Sequence, residues 1–266
     1  MNLPSDKVNP TQYECLVSMY HKMHKNQVLK ENIGSFIFVS RDFINELNSL
    51  KVGRYTVRID TPKIPENLTE RKFTDIYYEE DPEFEVCLVT DSQFNNESID
   101  RLRLYQTVIK NCNFVNTDFS RIDLTDVRFE NCDLSNANLG NASMNRVEFL
   151  NCKLLGSNLT ESYIGNTRFG ESILNMVMFG NSKLEKVIFD KAALESIDLF
   201  DCKLKKVEFL SCNLNGASFE ETSLKGIDIS SCDFDSLTVS IENLKGCIVS
   251  TSQAIQFASL LGLKIK

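Results

Sequence analysis

The chain has 266 residues, a formal net charge of −8 and a hydrophobic fraction of 42%, which suits one large domain or a domain with an appendage. No apolar run approaches the ~18 residues of a membrane-spanning helix, and Met1 to Pro10 lacks the basic-then-apolar order of a secretion signal, so a cytoplasmic location is expected.

The first element expected is a helix. Asn9 followed by Pro10 is a strong start, with Asn as N-cap, Pro in the first turn and Gln12 placed to close a capping box. Tyr13, Leu16, Met19, Tyr20 and Met23 then mark an apolar stripe as far as Lys25. His21 and His24 could share a helical face, but Lys22 and Lys25 beside them favour a solvated face over a metal pair. A strand at Phe36 to Val39, a helix from Arg41 to Leu50 and an alternating strand Tyr55, Val57, Ile59 complete a small α+β unit over residues 1–60. This unit holds eight Lys/Arg and six Asp/Glu, too mild a basic excess to imply nucleic-acid binding. Residues 61–88 follow as a linker and cap, and Thr61 to Asn67, with two prolines, reads as stiff and extended.

From 89 to 249 a five-residue beat dominates. Leu or Phe recurs at Phe114, Phe119, Leu124, Phe129, Leu134, Leu139 and onward to Phe234, with a small or β-branched residue two places earlier: Cys112, Thr117, Ile122, Val127, Cys132, Ala137. Neither the helical period of 3.6 nor the strand period of 2 yields five, so the beat counts the sides of a closed coil. Columns such as Phe129, Phe149, Phe169, Phe189, Phe209 repeat every twenty residues. Four fives make one coil. The expected fold is therefore an all-β solenoid, a quadrilateral β-helix of about eight coils whose sides each turn two residues inward and three outward. At about 4.8 Å per coil the rod is roughly 38 Å long. Eight of the nine cysteines, Cys87, Cys112, Cys132, Cys152, Cys202, Cys212, Cys232 and Cys247, fall in the small inward slot, where cysteine acts as a buried hydrophobe. With no CxxC pair and no histidine in the repeat, no metal is expected.

After Val239 the beat weakens, since Glu242 would occupy an inward slot. Residues 250–266 read as a capping helix and tail, with Ala254, Phe257, Ala258 and Leu261 on one helical face and Gly262 as its stop. Solenoid ends expose core and need such caps.

The segments Asn136 to Gly140 (NANLG), Ser157 to Thr160 (SNLT) and Ala217 to Glu220 (ASFE) resemble the pentapeptide-repeat motif, summarised as A(D/N)LXX. That resemblance implies a right-handed coil. The stretch Ile241 to Lys266, with its NLKG, QA and LLGLKI elements, is similar to the quinolone-resistance branch of the family. The likeness implies a homodimer joined end to end, here through Ala254, Phe257, Ala258 and Leu261. It also implies imitation of DNA toward a type II topoisomerase, DNA gyrase. Many units depart from the motif, with Cys or Val in the small slot and Lys or Glu for Asp/Asn.

No Ser/His/Asp set, phosphate loop or paired carboxylates in a cleft stand out, so neither enzymatic activity nor a cofactor is expected. The exterior must then carry the function. Residues 89–249 hold 23 acidic and 16 basic residues, a net of −7. The side centred on Leu139, Leu159, Phe179, Leu199 and Phe219 carries Asp118, Glu161, Asp198, Asp201, Glu220 and Glu221, the candidate partner-binding acids. The next side collects Lys183, Lys186, Lys203, Lys205, Lys206, Lys225 and Lys245, offset either by acids such as Glu185 and Asp201 or by an anionic partner. A DNA duplex of the rod's length presents about 22 phosphates, so mimicry would have to come from three sides. The rod itself is not expected to bind DNA or membrane. Outward positions Leu150, Leu155, Ile173, Met176, Met178, Ile188, Phe200 and Leu210 are apolar, marking either a contact surface or a seat for the amino-terminal unit. Two rivals to the topoisomerase reading stand: a scaffold whose amino-terminal unit selects another partner, and a DNA-binding regulator using that unit.

Overall fold

Left-handed corners at every fifth residue create this fold. In the computed structural model, which describes residues 57–258 and residue 260, every fifth residue from Val86 to Gly226 has positive φ, from 45° to 61° for the non-glycines. Side chains rarely accept this region, and Asn does so most readily. Asn fills the corner at positions 96, 111, 116, 131, 136, 141, 151, 166 and 181. Each corner turns the chain onto the next side of a square prism, and four corners close one coil.

Successive coils stack as parallel strands. The main sheet runs β1 (Thr69–Arg71), β3 (Cys87–Thr90), β4 (Arg103–Lys110), β5 (Asp123–Glu130), β6 (Ser143–Leu150), β7 (Tyr163–Gly170), β8 (Lys183–Asp190) and β9 (Lys203–Leu210), with β2 (Glu83–Glu85) paired to β4. The first step, β1 to β3, is eighteen residues (Thr69 opposite Cys87), and every later one is twenty, as in Val127 opposite Val147 and Phe149 opposite Phe169. Each eight-residue strand wraps two sides. The other two sides are joined coil to coil by single bridges such as Asn138 to Asn158 and Lys153 to Ile173. We number the sides by their centres: side 1 on Leu134, Leu154, Leu174; side 2 on Leu139, Leu159, Phe179; side 3 on Met144, Ile164, Leu184; side 4 on Phe149, Phe169, Phe189.

The centres and the residues two before them form one continuous buried core. On side 4 the rings of Phe129, Phe149, Phe169, Phe189 and Phe209 stack nearly parallel, with centroids 4.8, 5.1, 5.1 and 5.0 Å apart. Their spacing follows the coil pitch rather than the edge-to-face geometry that free rings favour. The small slot does more than save space. Ser157, Ser182 and Thr222 donate their hydroxyls to the carbonyls of Leu134, Leu159 and Leu199 in the preceding coil, at 2.7, 2.9 and 2.5 Å. Ser182 and Thr222 also accept the amides of Ser162 and Cys202. Cys202 and Cys212 act likewise, their thiols donating to the Phe179 and Phe189 carbonyls. Cysteine here is a hydrogen-bonding residue as well as a small one.

Both ends of the described prism are closed. At the start, a 3₁₀ helix (Phe73–Tyr78) drops Phe73 onto Phe94 and Phe114, with centroids 4.7 Å from each. At the finish, β10 (Ala217–Ser218) pairs with β11 (Leu237–Thr238), and the short helix α1 (Ile241–Leu244) replaces a side where Glu242 could not be buried. Glu242 sits exposed and paired with Lys245 at 2.5 Å. Helix α2 (Thr251–Ala258) then crosses the end, its buried Gln253 donating to the carbonyls of Ile229 and Cys232 at 2.9 and 2.8 Å.

The chain divides into two compact units, Met1–Val52 and Gly53–Lys266; the helices and strand expected before residue 53 lie outside the described residues. The strand expected through Val57 and Ile59 does not form. Residues 57–63 instead run as an extended strap along the edge between sides 3 and 4, against the direction of coil growth. Val57 N donates to Glu208 at 2.8 Å, Asp60 N to Asn166 at 3.2 Å and Lys63 N to Asp126 at 2.8 Å. From the coil of Glu208 to that of Asp126 is four coils, about 19 Å, and six extended residues cover about 20 Å. The strap's backbone thus meets side chains of two corners and of side 4 where a strand would meet a ladder.

Candidate interaction surface

Side 2 and its far corner collect the six predicted acids. Glu161, Asp201, Glu220 and Glu221 are exposed, and Asp118 and Asp198 are half-buried. Among the described residues none of the six forms an ion pair. Several acids elsewhere on the rod are neutralised one coil away, such as Glu130 by Lys110 at 2.8 Å, Glu148 by Arg128 at 2.7 Å and Asp133 by Lys153 at 3.5 Å, while Asp123, Glu195 and Asp228 form no ion pair among the described residues. The acids are not evenly spread along side 2. Asp198 and Asp201 lie one coil from Glu220 and Glu221, with Asp198 opposite Ser218 and the Asp201 amide donating to the Glu220 carbonyl. Toward the amino-terminal end the same face is held by a side-chain ladder, Asn158 donating to Asn138 at 3.0 Å and Asn138 to Asp118 at 2.9 Å.

Four of the seven lysines are offset from within, while Lys203, Lys206 and Lys225 form no ion pair among the described residues. Glu185 bridges Lys205 at 2.5 Å and Lys183 at 3.1 Å, and these two ammonium groups bring its carboxyl down to about 2. Lys186 reaches Asp60 of the strap at 3.3 Å. Of the two acids expected to offset these lysines, Glu185 does so and Asp201 makes no ion pair.

Of the eight apolar outward positions, Met176, Ile173, Met178 and Phe200 are exposed at 61%, 43%, 41% and 40%. Leu150, Leu155 and Leu210 are half-buried. Ile188, expected outside, is fully buried. It lies in register between Arg168 and Glu208 on side 4, whose edge carries the strap and whose outward Val108, Glu148 and Glu208 are buried too. Outward positions of side 4 are thus buried, which sequence periodicity alone cannot see.

At the carboxy end, Phe257 is half-buried with its ring 5.6 Å from that of Phe234. Ala258 is half-buried, Ala254 exposed, and Leu261 lies outside the described residues. Ile241, Ile248, Ile255 and Leu260 are exposed at this end.

These features define a class first: a β-solenoid that presents ordered columns of side chains on an otherwise closed core. The pentapeptide repeat region family matches residues 107–179 and 172–247, more than half of the chain, and the chain belongs to the pentapeptide-repeat family. It is similar to the solved structure of a trypsin-treated QnrB1 variant, a plasmid-mediated fluoroquinolone resistance protein, with 19% identity, 75% of this chain and 98% of that one covered, and a TM-score of 0.35. It is also similar to HetL of the cyanobacterium Nostoc sp. strain PCC 7120, involved in heterocyst differentiation regulation (16% identity, 66% and 94% covered, TM-score 0.21). Rfr23 of the cyanobacterium Cyanothece 51142 is a third (19%, 66% and 99% covered, TM-score 0.26). No curated protein matches the chain. No described helix is long and apolar enough to cross a membrane.

Proposed function

We propose that the chain is a non-enzymatic, DNA-shaped acidic rod that binds a type II topoisomerase, DNA gyrase, and modulates it or protects it from quinolones. The reading draws on the resemblance of its carboxy-terminal stretch to the quinolone-resistance branch. The observation that carries it is the set of unneutralised carboxylates on side 2, densest at Asp198, Asp201, Glu220 and Glu221. Charges left without a partner at coil spacing repel each other and steer the rod toward a basic groove. Two rods join through the carboxy end, where Ile241, Ile248, Ile255 and Leu260 stand exposed; Ile255→Asp should halve the sedimenting mass. The decisive assay is gyrase supercoiling, with and without a quinolone, at micromolar concentrations of the full chain. The quadruple change Asp198→Asn, Asp201→Asn, Glu220→Gln, Glu221→Gln should abolish any effect. A full chain that neither alters supercoiling nor relieves quinolone inhibition sinks the reading.

A further inference from the structure

One coil breaks the rod's outward polarity at three places. Side 1 carries Asn113, Asp133 and Lys153 in register, then Ile173. The corner between sides 1 and 2 runs Asn96, Asn116, Asn136, Gly156, then Met176, and its asparagines bond to each other at 3.1 and 3.2 Å. Side 2 carries Asp118, Asn138 and Asn158, then Met178. All three polar columns are interrupted in the coil 171–180, and Ser196 and Asp198 resume two of them one coil on. Among the non-glycine corners from Val86 to Glu221, only Val86 and Met176 are apolar. Met176 is at φ 59° and, among the described large apolar residues, only Tyr78 is more exposed. A long apolar side chain held outward in strained backbone gains nothing for the fold. Such local violations mark functional positions.

Phe200 extends the patch. Met178 is in register with Asp198, which puts Phe200 one coil on and two residues along side 2. Carboxylates frame most of these four side chains, Glu171 and Glu195 on side 1 and Asp198, Asp201 and Glu220 on side 2, while Lys153, in register beside Ile173, is paired to Asp133 at 3.5 Å. Only Glu171 among the framing carboxylates has an ion-pair partner in the described structure, Lys191 at 3.5 Å. An apolar centre with an acidic rim selects for charge as well as for apolarity.

We propose that this face, formed by Ile173, Met176, Met178 and Phe200, is a docking site for a basic amphipathic helix of a partner protein. Apolar residues at i, i+3/i+4 and i+7 of that helix would lie on the methionines and Phe200, with flanking Lys or Arg facing the rim. Methionine suits such a surface because its flexible thioether moulds to different anchors. The rim shares Asp198, Asp201 and Glu220 with the topoisomerase reading, but the apolar patch is no part of that reading and is tested without gyrase. It requires only that the rod bind a protein segment.

The test uses the full chain and a labelled 18-residue peptide of leucines at helical i, i+3, i+4, i+7 spacing with lysines elsewhere. A scrambled peptide of the same composition is the control. Fluorescence anisotropy is read near physiological ionic strength. The patterned peptide should bind at least about tenfold more tightly than the scrambled one, and Met176→Asn/Met178→Asn should cost about tenfold. Because Asn already fills both columns one to three coils away, that double variant should unfold at an equal or higher urea midpoint. Loss of binding therefore cannot come from misfolding. Equal affinity for the two peptides, equal affinity of wild type and variant, or no binding at all would overturn the proposal. So would a variant that changes the sedimenting mass or exposes residues 1–56 to protease, since the patch would then be serving a second copy or the chain's own amino-terminal unit.

Discussion

The strap invites the sharpest test of how the prism's edge is held. Asp126 is the corner residue of β5, with its side chain 8% exposed against 22% for Arg146. Its two oxygens take Arg146 Nε and Nη2 at 2.6 and 2.7 Å, and one also accepts the Lys63 amide at 2.8 Å. Burial alone would raise this carboxyl, but the Arg146 guanidinium and the Lys63 amide outweigh it and hold it below the usual range. Asp126→Asn keeps the shape and removes the charge. Breaking a fully buried pair costs about 3–5 kcal/mol, and with Arg146 partly in reach of water about 2 kcal/mol is expected here. The strap has few other attachments nearby, chiefly Gln106 donating to the Lys63 carbonyl at 3.3 Å, so the loss should appear as local opening rather than global unfolding. A loss of that size raises the detached population roughly 30-fold. Hydrogen exchange at the Lys63 amide should speed up by that factor, while amides inside β6 to β8 keep their protection. The sign for pH follows from the depressed value: the strap's stabilisation is complete above the ordinary Asp value of about 3.9 and is lost as pH falls through the lower folded value. An Asp126→Asn protein whose Lys63 amide exchanges within about twofold of wild type would show that the pair does not hold the strap.

Three other outcomes follow from the core and surface. Phe169, stacked between Phe149 and Phe189, should cost about 3–5 kcal/mol as Ala, toward the upper end because the coil pitch stops the gap from closing; as Leu, the occupant of neighbouring columns, it should cost roughly 1–2 kcal/mol. Urea unfolding by far-UV circular dichroism measures both, and a Phe169→Ala cost under about 1 kcal/mol would contradict the rigid stack. Ser182→Ala orphans the Ser162 amide and the Leu159 carbonyl and should cost about 1–3 kcal/mol, whereas Ser182→Cys should cost less because thiols make the same bond at Cys202; equal costs for the two would argue against the hydroxyl ladder. Glu185 contributes stability that is complete above the ordinary Glu value of about 4.3 and lost as pH falls through about 2. Wild type and Glu185→Gln should therefore converge in stability at the acid end and differ at neutral pH, and a gap unchanged by acid would refute the bridge to Lys183 and Lys205.

The five-residue beat was legible because every side obeys one steric rule: two residues in, three out, with a left-handed corner. Even the corners are written in the sequence as a column of asparagines, with Gly156 and Gly216 in the same positions. The capping role of α2 followed from the same logic, since a prism end without a cover leaves Phe234 wet. What escaped were contacts made across many residues. Thr61 to Asn67 reads as extended, but nothing local in it signals that residues 57–63 run along an edge built from Asp126, Asn166 and Lys186. The burial of Ile188 was hidden for the same reason. Sequence periodicity also sorted charge by side without pairing it, so Glu185 and Asp201 were equal candidates to offset the lysines until Glu185 proved to be held between two of them and Asp201 to form no ion pair. The apolar coil was half legible: eight positions stood out, and burial pared them to four.

Because the corner recurs every five residues and the coil every twenty, the length of this protein is quantised. Insertion of twenty residues adds one storey and leaves every facade where it was. Five extra residues would rotate all later storeys by a quarter turn, setting the phenylalanine column over leucines and swinging the carboxylates of one wall round to another. Growth in any unit other than a whole storey thus scrambles the address of each surface group, whatever it binds.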